Sequence, residues 1–203
     1  MYSRSVMIKA IIFDYNGVMT VQGLFDSLEQ EYAVKQGKDL QLIRKIRKQY
    51  WDLARVGAIS SHLFWENVAR ALDYDPICLR KEWIGSFSAR RGMRSLAGKL
   101  RKRYKTALLT NEIRDWLEEE IMRQNLNTYF EVIFASYEAG VAKPDPTIFS
   151  LLLTRLDVSA QECIFIDDQE KNILAAQQLG FDTITFESLS QLQEELRQRW
   201  IQF

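Results

Sequence analysis

The chain is short of several things, and each shortage excludes something. It has two cysteines, Cys78 and Cys163. That is too few for a disulfide framework, and Cys163 lies inside an apolar run, so a reducing, cytoplasmic compartment is expected. Net charge is absent: 27 basic residues meet 27 acidic ones. Composition therefore gives no reason to expect nucleic acid or an anionic membrane as partner. No apolar stretch approaches the ~20 residues that span a bilayer. The short apolar run near the amino terminus is interrupted by Asp14 and is followed by no small-residue cleavage site, so no signal peptide is expected. His62 is the only histidine, and no serine or cysteine motif surrounds it to form a nucleophile–histidine pair. It reads as a surface residue of a helix capped by Ser60 or Ser61. There are no internal repeats and no low-complexity segments. Nothing in the sequence sets the oligomeric state.

What is present is an ordinary apolar fraction, 47%, over a length that suits one domain or one domain with an insertion. Five short runs read as strands: 8–13, 106–109, 132–135, 163–166 and 183–186. They lack polar alternation, as parallel strands covered on both faces do. Helical stripes lie between them. Ile148, Leu151, Leu152 and Leu156 follow Asp145-Pro146, a cap and a first-position proline. Ile173, Ala176 and Leu179 run to a stop at Gly180. Leu189, Leu192, Leu196 and Trp200 make the last stripe. This alternation predicts a doubly wound parallel-sheet α/β domain, Rossmann-like in plan. The stretch between the first strand and Arg94 differs. It shows helical stripes and no strands: Leu42, Ile46, Tyr50 and Leu53, then Phe64, Val68 and Leu72, with Gly57 and Ser60 between. It is too long for a βα loop and reads as an inserted helical cap. The expected division is a core of residues 1–20 and 92–203 with a cap of residues 21–91. Trp51, Trp65 and Trp83 read as cap core rather than a ligand cage. A basic segment follows, from Arg80 through Arg90, Arg91 and Arg94 to Lys105. It reads as a solvated helix face paired with acidic neighbours, and it lacks the interleaved aromatics that single-stranded nucleic acid requires.

Four segments carry chemistry. Asp14-Tyr15-Asn16-Gly17 follows the first apolar run, and a carboxylate at the end of a buried strand is how a parallel sheet presents a reactive group. Leu108-Leu109-Thr110-Asn111 and Phe165-Ile166-Asp167-Asp168 end strands in the same way. Between them lies Ala142-Lys143-Pro144-Asp145-Pro146.

In order and spacing these segments resemble the haloacid dehalogenase-like hydrolases. The resemblance covers nearly the whole chain and is nearest to small-metabolite phosphatases with a helical cap, including the amino-terminal phosphatase domain of soluble epoxide hydrolases. It implies Asp14 as a nucleophile that forms an aspartyl-phosphate. It implies Mg²⁺ held by Asp14, the backbone carbonyl of Asn16 and Asp168, with Asp167 bound through water or from behind. Asn172 would order the same loop. Thr110, Asn111 and Lys143 would hold the phosphate, with Gly17 giving the tight turn. Thr110 and Asn111 could equally be an N-cap pair before a helix over 112–124. Arg55, on the segment 55–60, would lean over the site as a substrate contact. The expected ligand is a small phosphorylated metabolite.

One position departs from the pattern. The family usually carries an Asp where Asn16 stands, and that Asp is its general acid and base. An amide keeps the carbonyl ligand and loses the proton chemistry, which typically contributes ~10²–10⁴-fold. Three outcomes follow: a slow or specialised phosphatase or phosphoryl-transfer enzyme, a phosphate- or protein-binding module on the same scaffold, or a trapping substitution. Asn16-Gly17 is also prone to deamidation, which could restore an Asp. A dehalogenase would use the same nucleophile but needs no metal, and the Asp167-Asp168 pair reads as built for one.

Overall fold

The structure is a computed structural model that describes residues 7–21 and 25–203, with side chains over 7–21 and 29–203. Part of the expected amino-terminal core, residues 1–6, and the stretch 22–24 thus lie outside the described residues. In chain order the elements are β1 (Ala10–Phe13), β2 (Thr20–Val21), α1 (Phe25–Gln36), α2 (Leu40–Ala54), α3 (Ser61–Leu72), α4 (Pro76–Gly85), β3 (Ser88–Ala89), α5 (Met93–Leu100), β4 (Lys105–Thr110), α6 (Arg114–Gln124), β5 (Val132–Ala135), α7 (Ser136–Ala139), α8 (Pro146–Leu156), β6 (Cys163–Asp167), α9 (Glu170–Gln178), β7 (Asp182–Thr185) and α10 (Leu189–Gln198).

Five strands form one parallel sheet in the order β5-β4-β1-β6-β7. The chain winds outward from β1 in both directions, so the carboxyl ends of β1, β4 and β6 meet at the point where the winding reverses, where such sheets hold ligands. Burial on both faces explains the unbroken apolar strands. Along β1, Ile11 and Phe13 enter a core shared with α5 and α10, while Ala10 and Ile12 enter the opposite core shared with α8 and α9. Each fully buried Ile or Phe contributes roughly 1.5–3 kcal/mol.

A third apolar cluster lies in the helices between β2 and β3. Phe64, Trp65, Val68, Leu72, Leu79 and Trp83 pack together and reach Ile113 and Trp116 at the start of α6. The Phe64 ring meets Trp65 and Trp83 edge-on at 4.8 and 5.8 Å, so this layer has a core of its own. Its two ends are joined by β2 and β3, which pair antiparallel. These strands escape sequence reading because two residues carry no period.

Other expectations need correction. In α2 the buried residues are Ile43 and Ala54, while Leu42 and Leu53 are exposed. The stripe is out of phase because α1 and α3, rather than the sheet, cover this helix. Leu151 is exposed as well. Trp200 lies beyond α10, at positive φ and 89% exposed, because the helix ends before it. The basic segment is no single face. It runs through α4, β3, α5 and into β4, and several of its cations are spent internally: Arg80 on Asp115 and Glu119, Arg94 on Gln124 O and Lys105 on Leu156 O. Among the described residues no helix is long and apolar enough to cross a membrane.

Candidate active site

The reversal point of the sheet collects the polar residues singled out in sequence. Asp14 follows β1, its N–H held by Ile166 O at 2.8 Å. Thr110 ends β4 and Asp167 ends β6. Lys143 arrives from the loop after α7, on a cis Lys143–Pro144 peptide. Its ammonium is buried and donates to Asp14 Oδ1 at 2.8 Å and to Asp167 Oδ2 at 2.7 Å. Asn111 fixes the lysine. Its amide donates to Lys143 O at 2.9 Å and accepts from Lys143 N at 2.8 Å. Thr110 and Asn111 are therefore no N-cap pair. The following helix starts at Arg114 behind Ile113, with no side-chain cap, because Thr110 still belongs to the strand and the Asn111 amide is occupied.

Asp167 is saturated. Besides Lys143 it accepts from Gln169 N at 2.8 Å and from the Asn172 amide at 3.0 Å on both oxygens. Asp168 is not: its Oδ1 is buried without a partner. Asp14, Asp167 and Asp168 each present an oxygen within 4.8 Å of the others. A buried orphan oxygen among three convergent carboxylates suits a hard divalent cation. Gly17 makes room for it. At φ +91°, a Cβ there would lie 2.1 Å from Asp168 Oδ2, so glycine is needed both for the conformation and for the approach of Asp168.

Electrostatics follow from burial. It pushes the Asp14 carboxyl up to about 7, against the pull of Lys143. Burial and Asp167 raise Asp168. Burial pulls the Lys143 ammonium down, but its two carboxylates outweigh that and its pKa is raised.

A cavity of about 40 Å³ opens among Asp14, Asn16, Thr110, Asn111, Lys143, Gln169 and Asn172. Gly17 is turned toward Asp168 and does not line it. Nor does the side chain of Arg55, which pairs with Asp52 at 2.8 Å. Arg55 contributes its carbonyl instead, which accepts the Ser136 hydroxyl. The Ser136 oxygen in turn accepts from Glu112 N at 3.1 Å. His62 is exposed beside Glu66.

Sequence reasoning missed Glu112. It is wholly buried, and its carboxyl accepts from Ile113 N at 2.9 Å and from the Asn16 amide at 2.7 Å. Burial drives its pKa well above the usual carboxylate range. In sequence it looked like a first-turn helix acid. Its one signal was position, two residues beyond a strand end that carries site residues. Arg90 was also read differently. Its guanidinium donates to Gly17 O at 2.8 Å and Val18 O at 3.2 Å and lies 5.0 Å over Phe186, bracing the loop after Asp14.

Residues 8–180 match the family model described as haloacid dehalogenase-like hydrolase. The D-ribitol-5-phosphate phosphatase of Bacteroides thetaiotaomicron is 29% identical over 94% of this chain and 97% of its own length. The bifunctional epoxide hydrolase 2 of Sus scrofa is 32% identical over 41% of this chain and 16% of its own length. Among solved structures, a family enzyme from Bacteroides thetaiotaomicron, in complex with magnesium and inorganic phosphate, superposes with a TM-score of 0.74 at 23% identity, over 91% of this chain and 98% of that one.

Proposed function

Because this chain belongs to the haloacid dehalogenase-like hydrolases, we propose that it is a Mg²⁺-dependent phosphatase of a small phosphorylated metabolite, with Asp14 as nucleophile. One observation carries the reading: a buried lysine bridges Asp14 and Asp167 while a buried oxygen of Asp168 beside them has no partner. Asp14, Asp168, the Asn16 carbonyl and, from behind, Asp167 would hold Mg²⁺, which when bound neutralises charge between carboxylate and phosphate.

The chain's own residues do the rest. Lys143 keeps a cation 2.8 Å from Asp14, so the nucleophile can stay ionised beside an anionic substrate. Asn111 keeps that lysine in place. An Asp14 oxygen forms a bond to phosphorus as the ester P–O bond breaks and the alcohol leaves. Water then attacks phosphorus, freeing Asp14 and inorganic phosphate. Asn16 cannot supply a proton, so alkoxide leaving groups depart slowly and acyl or aryl ones lose less. We further assign residues 21–91 as a cap on a core of 1–20 and 92–203. The segment from Arg55 to Ser60 is tied to the core where the Ser136 hydroxyl donates to Arg55 O. Phosphorylated polyols, by analogy with the Bacteroides relative, head the list of substrates. Two free cysteines, Cys78 and Cys163, support a reducing cytoplasmic setting.

The test is phosphate release from polyol, sugar, acyl and aryl phosphates, with and without Mg²⁺, against Asp14→Asn. Metal-dependent release abolished in the variant is the expected result. A wild-type protein that binds phosphate and Mg²⁺ but turns nothing over would favour the second reading, a binding module, to which the amide at position 16 points.

A further inference from the structure

Asn16 stands where the family resemblance leads one to expect an Asp, and its side chain is held on two sides. Its Nδ2 donates to Glu112 Oε2 at 2.7 Å, and its Oδ1 accepts from Thr20 Oγ1 at 3.2 Å. The two anchors come from separate elements, the turn after β4 and the start of β2. An amide nitrogen has two N–H groups, and Glu112 takes one. Asn16 also lines the cavity with Asp14, Thr110 and Lys143, and its second N–H has no acceptor among the described residues.

We propose that Asn16 donates this second N–H to a phosphoryl oxygen of the substrate, and that Glu112, acting through Asn16, is the positioning residue that aims it. The inference rests on the reading that the cavity takes phosphate. On this view the amide is no vacancy left by a lost acid. It is a fixed donor pointed at charge, and such preorganised donors contribute to catalysis without transferring a proton. Asp at this position would remove the donor and face Glu112 with a second carboxyl.

The experiment measures inorganic phosphate affinity by calorimetry in Mg²⁺, alongside kcat and KM on an alkyl phosphate. The variants are Asn16→Ala, the isosteric Asn16→Asp, Glu112→Gln and Asn16→Ala/Glu112→Gln, each checked for its thermal transition. Asn16→Ala and Asn16→Asp should each weaken phosphate binding about 10- to 100-fold. Affinity for Mg²⁺ alone should stay as in wild type for Asn16→Ala, because position 16 offers the metal its backbone carbonyl. Glu112→Gln halves the acceptor capacity at that site and should weaken phosphate binding several-fold. The double variant should be no weaker than Asn16→Ala, since Glu112 works through Asn16. Asn16→Asp turning over faster than wild type would overturn the proposal, as would unchanged phosphate affinity in Asn16→Ala. If phosphate affinities follow the expected order while no variant, wild type included, releases phosphate from any ester, the phosphatase reading fails and the assignment of Asn16 stands.

Discussion

Gly17→Ala tests the packing behind the acidic cluster. The added Cβ would lie 2.1 Å from Asp168 Oδ2 and 2.6 Å from Asp168 Cγ, and Cβ contacts under 3.0 Å essentially do not occur. The carboxylate must therefore retreat by about 0.9 Å, while ligand distances at a metal tolerate roughly 0.2 Å. The backbone adds its own cost, since φ +91° in a residue with a Cβ stores roughly 1–3 kcal/mol. At about 2–4 °C per kcal/mol for a chain of this size, the melting temperature should fall by roughly 2–12 °C. Calorimetric Mg²⁺ affinity should drop at least about tenfold, the lower end of what disturbed ligand support costs. The decisive control is the same change in an Asp168→Ala background. The clash is then gone, only the backbone cost remains, and the two effects should fall short of additive. A Gly17→Ala protein that melts within 1 °C of wild type (a change of well under ~1 kcal/mol) and binds Mg²⁺ unchanged would refute the argument.

Lys143→Ala removes the only cation among the described residues that is bonded to Asp14 and Asp167. It should cost about 3–5 kcal/mol in urea unfolding, the range for orphaning buried charge, and abolish turnover. Phe64→Ala, at the centre of the tryptophan cluster, should cost about 3–5 kcal/mol; a loss below about 1 kcal/mol would mean that the helical layer has no packed core. Thiol titration at pH 8 should count one reactive cysteine in the native protein and two in denaturant. Cys78 is exposed, whereas Cys163 is buried with its thiol pushed up to about 12, so it stays protonated at that pH. Finally, Asn16 holds its amide by both atoms, so intact mass should show deamidation at 16 far slower in the folded than in the unfolded chain.

Much of this was legible in the sequence because parallel strands buried on both faces announce themselves as apolar runs, and polar residues at their ends mark the reactive edge. Asp14, Thr110 and Asp167 stand where that reading put them. What escaped depended on contacts between distant residues. Glu112 became informative only when β1 and β4 proved to be neighbours, bringing it to Asn16 across 96 positions. The Asn111 amide reads as a phosphate ligand in sequence, but in space it is occupied by the Lys143 backbone. The phase of α2 failed for a similar reason, since a helix covered by other helices does not show its buried side by the most apolar stripe. A two-residue ladder such as β2–β3 has too few positions for any period.

The clustering of tryptophans has a practical consequence. Trp51, Trp65, Trp83 and Trp116 lie in or against the helical layer, and only Trp200 lies outside it, already facing solvent. The cavity at the sheet edge is lined by Asp14, Asn16, Thr110, Asn111, Lys143, Gln169 and Asn172 and by no tryptophan, so the indoles report on the helical layer rather than on the cavity walls. The chain thus carries its own optical gauge. Any rearrangement of that layer should move the indole emission, while Trp200 supplies a constant background. Stopped-flow fluorescence on the unlabelled protein can therefore follow that layer separately from phosphate release.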